Sequence, residues 1–163
     1  MPEKQTIKRA ARAKKEGKSP STQAGEFVRK EIENIRKGEH GARSAKQAIA
    51  IGLSEARRAG VKLKPPAKGT VSEKTRKSAA QAYEKGQKHE PVSRTRSLAR
   101  KKALKREPTS SVSHNALSKQ AQSAAAKRTP AARSASAKKA AQTKGPRKRS
   151  SAAKKAARNR MVR

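Results

Sequence analysis

The chain is 163 residues long and carries 45 Lys or Arg against 11 acidic residues, a formal net charge of +34. It has no cysteine, which excludes a disulfide framework. It has one Phe, one Tyr and no Trp, too few aromatic platforms for the modules that stack single-stranded bases. Low hydrophobicity combined with high charge predicts a mostly disordered chain with all-α elements.

The sequence contains no segment typical of export or of membrane insertion. The N-terminal residues are basic and lack the apolar run of a secretory signal. No stretch approaches the roughly 20 apolar residues of a membrane span. Bulky apolar anchors for a membrane surface are also scarce. We therefore expect a cytoplasmic protein that does not bind membranes.

Charge and apolar content divide the sequence into four zones. The first is a basic N-terminal arm, which we expect to be mobile when free. The second holds most of the aliphatic side chains and is predicted to form a helical hairpin. The third is a basic helical linker region, and the fourth is a disordered tail rich in Lys, Arg and Ala. In chain order the zones are 1–20, 21–66, 67–107 and 108–163.

Two helices are predicted in the hairpin zone. The first covers residues 25–37, and Gly38 is typical of a helix C-terminus. The second covers residues 45–59, because Ser44 and Gln47 have the spacing of a capping box. The predicted core residues are Val28, Ile32, Ile35, Ile49 and Leu53.

This hairpin is expected to be marginally stable without a ligand. Its few aliphatic side chains contribute about 2 kcal/mol each, against a large cost of ordering some 40 residues. Ile51 points away from the face formed by Ile49 and Leu53, so it is either a dimer contact or a singly exposed side chain. A homodimer through the hairpin is one interaction that would provide the missing stability.

The linker region predicts two further helices. A capping box at residues 70–73 starts the first, which contains Ala79 and Ala82 and ends near Gly86. The second covers 93–106 and carries cations on nearly all sides. Since such a helix has no face to bury, we expect its folding to depend on charge neutralisation.

The tail, residues 108–163, contains fifteen Lys or Arg and no acidic residue. Like charges repel, so the tail is predicted to be mostly coil when free and partly helical when bound to a polyanion. Pro130 and the pair Gly145-Pro146 are expected to break its short alanine-rich helices. Nucleic acid is the polyanion that this composition favours, because cations that neutralise phosphates release condensed counterions.

The residues predicted to contact phosphates lie in the tail, with a second cluster in the last helix of the linker region. The tail residues are Lys138, Lys139, Lys144, Arg147, Lys148, Arg149, Lys154, Lys155, Arg158 and Arg160. The second cluster is Arg100, Lys101 and Lys102.

Patterns that carry catalysis or metal binding do not occur. His40, His89 and His114 lie in different zones, and no Cys or Asp accompanies them. The sequence contains neither GxxxxGK[ST] nor GxGxxG, the loops that cradle nucleotide phosphates. We predict a protein that is not an enzyme and that uses no cofactor or metal.

Two resemblances rest on short segments. Residues 46–60, KQAIAIGLSEARRAG, resemble the signature of a family of small, basic, uncharacterised bacterial proteins. That resemblance implies a bacterial source and little about activity. Residues 135–141 and 151–158 are similar to the Lys- and Ala-rich tails of linker histones and bacterial histone-like proteins. The second resemblance implies DNA condensation by charge neutralisation.

Together these observations predict a histone-like, nucleoid-associated protein that binds DNA without sequence preference. An RNA- or ribosome-associated basic protein is the first alternative, because RNA is also a phosphodiester chain. A protein-interaction module that the basic tails only localise is the second.

Overall fold

The computed structural model describes residues 3–161, and the side chains of these except 143–149, 152, 155–156 and 159–161. Within this range the chain forms seven α-helices and one short 3₁₀ turn, and no strand. The expectation of a mostly disordered chain is therefore wrong. The helices are α1 (Lys4–Lys15), α2 (Pro20–Arg36), α3 (Ala45–Arg58), α4 (Glu73–Gln87), α5 (Arg94–Leu104), α6 (His114–Ala126) and α7 (Pro130–Met161).

The chain divides between Gln120 and Ala121 into two compact units, here called unit 1 and unit 2. In unit 1, α2 packs on both α1 and α3, and α3 packs on α4. The predicted basic arm is not mobile, because α1 buries Ala10 and Ala13. The first helix of the hairpin begins earlier than predicted, since Ser19 caps it and Pro20 occupies its first turn.

The face of α2 that packs into unit 1 is the line Ala24, Phe27, Glu31 and Ile35. The predicted line of Val28, Ile32 and Ile35 lies beside it: Ile35 is fully buried, whereas Val28 and Ile32 are half-buried. Ile49 and Leu53 of α3 are also half-buried.

Alanines of α3 provide the surface that receives this face. The buried apolar residues of α3 are Ala45, Ala48 and Ala56. Because alanine side chains are small, α2 and α3 come closer than aliphatic side chains would allow.

Gly52 marks the closest approach of α2 and α3. A Cβ at this position would lie 2.6 Å from the Val28 Cα and 2.9 Å from the Val28 nitrogen. Both are backbone atoms, so a side chain here would have to push the two helices apart.

We expect Gly52→Ala to lower the free energy of unfolding by about 2 kcal/mol, because overpacking outweighs the gain in helix propensity. Gly25→Ala in α2 is the matched control, since a Cβ there meets nothing within 4 Å. It should stabilise the protein by up to about 1 kcal/mol. Urea unfolding followed by circular dichroism measures both values, and equal effects of the two substitutions would contradict the close approach.

Two residues that follow α4 in the sequence, Leu104 and Val112, are core residues of unit 1. Val112, in the 3₁₀ turn Ser110–Val112, is fully buried with Ile35, Ala42 and Ala48. Both Nε and Nη2 of Arg36 donate to the carbonyl oxygen of Val112, each at 3.2 Å. The prediction that residue 108 begins a disordered tail is therefore wrong.

The C-terminal end of α5 is fixed to the loop between α2 and α3. The Gly41 amide donates to the carbonyl oxygen of Leu104 at 2.9 Å, and Leu104 is buried. A Cβ at Gly41 would overlap the Glu107 carbonyl, so only glycine fits. The expectation that this basic helix has no face to bury is therefore wrong at its C-terminal end. Nearer its N-terminus, Leu98 is 58 % exposed.

Helix caps agree in part with the predicted ones. The Ser44 hydroxyl accepts from the Gln47 amide at 3.2 Å, as the capping box predicts. Ser72, rather than Thr70, caps α4 by accepting from the Thr75 amide. At the other end of α4, a Cβ on Gly86 would overlap the Arg57 carbonyl oxygen of α3.

Unit 2 contains α7, which runs continuously from Pro130 to Met161. The predicted coil and the predicted breaks at Pro130 and Gly145-Pro146 are therefore wrong. Pro130 instead starts the helix, because Thr129 caps it by accepting from the Ala132 amide at 3.2 Å. The helix continues through Gly145-Pro146, and its ten alanines have the highest helix propensity of any residue.

Candidate nucleic-acid interface

Acidic and basic side chains are mixed over the surface of unit 1. All 11 acidic residues of the chain lie between Glu3 and Glu107. Most of them contact a cation within 4 Å, and each such contact offsets part of the positive potential. Hydrogen bonds from Lys18 and Arg12 lower the pKa of Glu16, and a hydrogen bond from Arg76 lowers the pKa of Glu73. These carboxylates are therefore ionised beside their cations at neutral pH.

Unit 2 has a different charge pattern. From Ala121 to the end, the sequence carries fourteen Lys or Arg and no acidic residue. Of the predicted tail residues, Lys138, Lys139, Lys154 and Arg158 have described side chains, and all four are exposed. The side chains of the other six predicted residues, Lys144, Arg147, Lys148, Arg149, Lys155 and Arg160, lie outside the described residues.

The predicted second cluster lies on α5, where Arg100, Lys101 and Lys102 are exposed. Successive residues of an α-helix point about 100° apart, so these three do not share one face. Arg100 and Lys101 lie near Glu55 of α3, whose pKa is raised by burial and lowered by these two cations. Two of the three cations therefore partly compensate the charge of a carboxylate within unit 1.

Ile51 lies in a cleft between α3 and α5, lined also by Ala50, Arg100 and Ala103. The side chain is half-buried by this contact. The side chain is therefore not singly exposed, and the predicted dimer contact stays a prediction.

Arg133 belongs with the exposed cations of α7 although sequence reasoning omitted it. The predicted break at Pro130 placed Arg133 in coil, where it had no defined relation to the later cations. Once Thr129 and Pro130 are recognised as a helix start, Arg133 lies in the first turn of the same helix as Lys154 and Arg158.

A second surface feature of unit 1 is an apolar cleft of about 600 Å³ between α2, α3 and α6. Val28, Ile32, Leu53 and Leu117 line it, and Arg29, Glu33 and Arg36 lie at its margins. These half-buried aliphatic residues include three of the five predicted core residues of the hairpin.

One titratable residue is buried in the middle of unit 1. Glu31 is 2 % exposed and lies on α2 between Phe27 and Ile35. Its Oε2 is 3.6 Å from Nε2 of His40, and its Oε1 has no hydrogen-bond partner among the described residues. Burial raises the pKa of Glu31 to about 7, although His40 acts in the opposite direction.

Two other kinds of site are not found within residues 3–161. No group of three or more His, Asp or Glu side chains in this range could hold a metal ion. None of the described helices is both long enough and apolar enough to cross a membrane.

Comparison with known proteins gives one match. Residues 3–68 match the model of a family of unknown function, DUF6496. The match covers α1, α2 and α3, less than half of the chain, and leaves out α4 to α7. No match was found among curated proteins or among solved structures. The similarity therefore concerns the helices that form the core of unit 1, and the resemblance inferred from residues 46–60 stays a prediction.

Proposed function

We propose that the protein binds DNA without sequence preference, with α7 as its main contact to phosphates. The observation that carries this proposal is the charge of unit 2, which has fourteen cations and no acidic residue. Cations in a segment without acidic residues gain free energy on meeting phosphates because condensed counterions are released. The ion pairs of unit 1 already provide local neutralisation, so its cations gain less.

Two further observations support a contact that does not depend on the base sequence. Reading bases requires a few side chains with hydrogen-bonding partners fixed opposite base edges. The described cations of α7 are Lys and Arg on an exposed helix flanked by alanine and serine. No aromatic residue lies in residues 121–163, so base stacking does not contribute. A histone-like role in the nucleoid is the cellular function that this mode of binding favours.

Fluorescence anisotropy with the full-length protein tests the proposal. Two 40-base-pair duplexes of unrelated sequence should bind within about threefold of each other, because phosphate contacts carry no sequence information. A ribosomal RNA fragment then competes for the same protein at physiological salt. A tenfold preference for one duplex would indicate base reading and contradict the proposal. Displacement of DNA by a lower concentration of RNA would favour the RNA-associated alternative.

The protein-interaction alternative rests on the apolar cleft between α2, α3 and α6. Its aliphatic lining is the kind of surface on which a partner helix packs. Homodimerisation through the predicted hairpin also stays a prediction, since the structure contains a single chain.

A further inference from the structure

The cations of α7 are concentrated on one side of the helix. Between residues 133 and 160 the sequence has eleven Lys or Arg. An α-helix turns about 100° per residue, and this register places seven of the eleven in an arc of about 120°. The seven are Arg133, Lys144, Arg147, Lys148, Lys154, Lys155 and Arg158. We call this set the cationic stripe.

The opposite side of α7 carries most of its alanines together with the other four cations, Lys138, Lys139, Arg149 and Arg160. The same register places six of the ten alanines of the helix in an arc of about 120° facing away from the stripe. They are Ala131, Ala132, Ala135, Ala153, Ala156 and Ala157. The three stripe residues with described side chains, Arg133, Lys154 and Arg158, are exposed. The helical register of α7 thus places seven of its eleven cations on one side and four on the other.

We propose that the cationic stripe lies in the major groove of duplex DNA, and this inference rests on the proposed function. An α-helix with its side chains is about 10–12 Å across, and the major groove of B-form DNA is about 12 Å wide. Phosphates border both edges of that groove. The stripe has Arg147 and Lys154 at one margin and Lys148 and Lys155 at the other, so its two margins face the two phosphate rows.

The length of the stripe fits this arrangement. From Arg133 to Arg158 the helix rises about 38 Å, slightly more than the roughly 34 Å of one turn of duplex DNA. A straight helix leaves a curving groove within one turn. The central stripe residues then lie in the groove, and those at the two ends cross the adjacent phosphate backbones.

This geometry favours DNA over double-stranded RNA. The major groove of A-form RNA is deep and narrow, and it does not admit a helix. A disordered tail with the same charge would have no such preference, because it neutralises either phosphate chain equally. A comparison of the affinities for duplex DNA and double-stranded RNA therefore tests the stripe. The affinity for duplex DNA by itself tests only the charge.

The experiment uses full-length variants of identical composition and net charge. The first replaces three cations of the stripe with glutamine: R133Q, K155Q and R158Q. The matched control replaces three cations off the stripe with glutamine: K138Q, R149Q and R160Q. Circular dichroism confirms that the helical content of both variants matches that of the wild type.

Anisotropy with duplex DNA and double-stranded RNA of equal length gives the result. The first variant should bind duplex DNA on the order of 10²-fold more weakly at 100 mM KCl, with a salt slope less steep by about 3. The control should match the wild type, and only these two should prefer DNA over RNA. Equal DNA affinities for the two variants would overturn the stripe but leave the proposed function intact. A wild type that does not bind duplex DNA would overturn both.

Discussion

Raising KCl from 50 to 200 mM should lower the affinity of the full-length protein for duplex DNA by roughly 10³- to 10⁵-fold, if six to ten phosphates are contacted. The reason is that each contact releases a condensed counterion, and added salt makes that release less favourable. Fourteen cations in unit 2 are more than enough for this number of contacts. The logarithm of the association constant, measured at five KCl concentrations, should fall linearly with the logarithm of the salt concentration.

Two variants with equal charge locate the contacts that produce this slope. One replaces all seven residues of the cationic stripe with Gln, which should make the slope less steep by about 6. The control replaces seven exposed lysines of unit 1 with Gln: Lys4, Lys8, Lys14, Lys15, Lys62, Lys77 and Lys88. Its slope should change by less, although the net charge falls equally. The same change in both variants would mean that net charge, rather than α7, determines the affinity.

The two helices of the hairpin were predicted from local signals, whereas only one of the five predicted core residues is fully buried. Ser44 caps α3 and Gly60 follows its end, and both are visible in the sequence. Ile35 is fully buried, as predicted. The start of α2 was missed because Pro20 was interpreted as a boundary, whereas Ser19 followed by proline is typical of a helix N-terminus.

The extent of folding could not be predicted from composition. Counts of Leu, Ile, Val and Phe indicate disorder when they are low, but this core is built from alanine. Nine of the fourteen buried apolar residues within the described range are alanine. Each buries little area, yet together with Gly41, Gly52 and Gly86 they allow backbones to approach closely. Dispersion between closely packed atoms then contributes where large side chains are scarce.

The charge of the candidate interface was visible in the sequence, whereas its geometry was not. The phosphate contacts predicted at Lys154 and Arg158 follow from the absence of acidic residues in the tail. The shared face could not be derived, because breaks at Pro130 and Gly145-Pro146 would have separated the cations into short segments without a common register. The continuity of α7 is the structural fact that relates Arg133 to residues some 25 positions later.

The match to DUF6496 and the candidate interface concern different parts of the chain. Residues 3–68 contain Glu31 and the alanine-lined packing of α2 on α3. The cationic stripe lies wholly in α7, beyond the matched segment. Variants of unit 1 therefore test the stability of the matched fold, and variants of unit 2 test binding.

Replacing Glu31 with Gln should stabilise the protein above pH 7 and have little effect near pH 4.5. Burial raises the pKa of Glu31 from 4.5 to about 7. Between these values the folded state holds a proton that the unfolded state has released, so wild-type stability falls as pH rises through this window. The fall attributable to Glu31 is about 3 kcal/mol, at about 1.4 kcal/mol per pH unit. Glutamine has the same shape and does not ionise, so the variant avoids this loss.

Titratable groups around Glu31 determine how much of the pH-dependent loss of stability remains in the Glu31→Gln variant. His40 lies 3.6 Å away and favours the ionised carboxylate, whereas Glu39 and Glu55 oppose ionisation. Burial also raises the pKa of Glu55, so Glu31→Gln should retain some loss of stability as the pH rises.

Urea unfolding at half-unit steps from pH 4.5 to 8.5 measures the difference between variant and wild type. Taking the difference cancels the contributions of carboxylates that both proteins share. Glu33→Gln, which removes a carboxylate with a side chain 43 % exposed on the same helix, is the control and should show no comparable difference. A constant difference between Glu31→Gln and wild type across the range would mean that Glu31 ionises alike in the folded and unfolded chains. The Glu31 carboxylate would then be solvated in the folded protein, and the core between Phe27 and Ile35 would not exclude water.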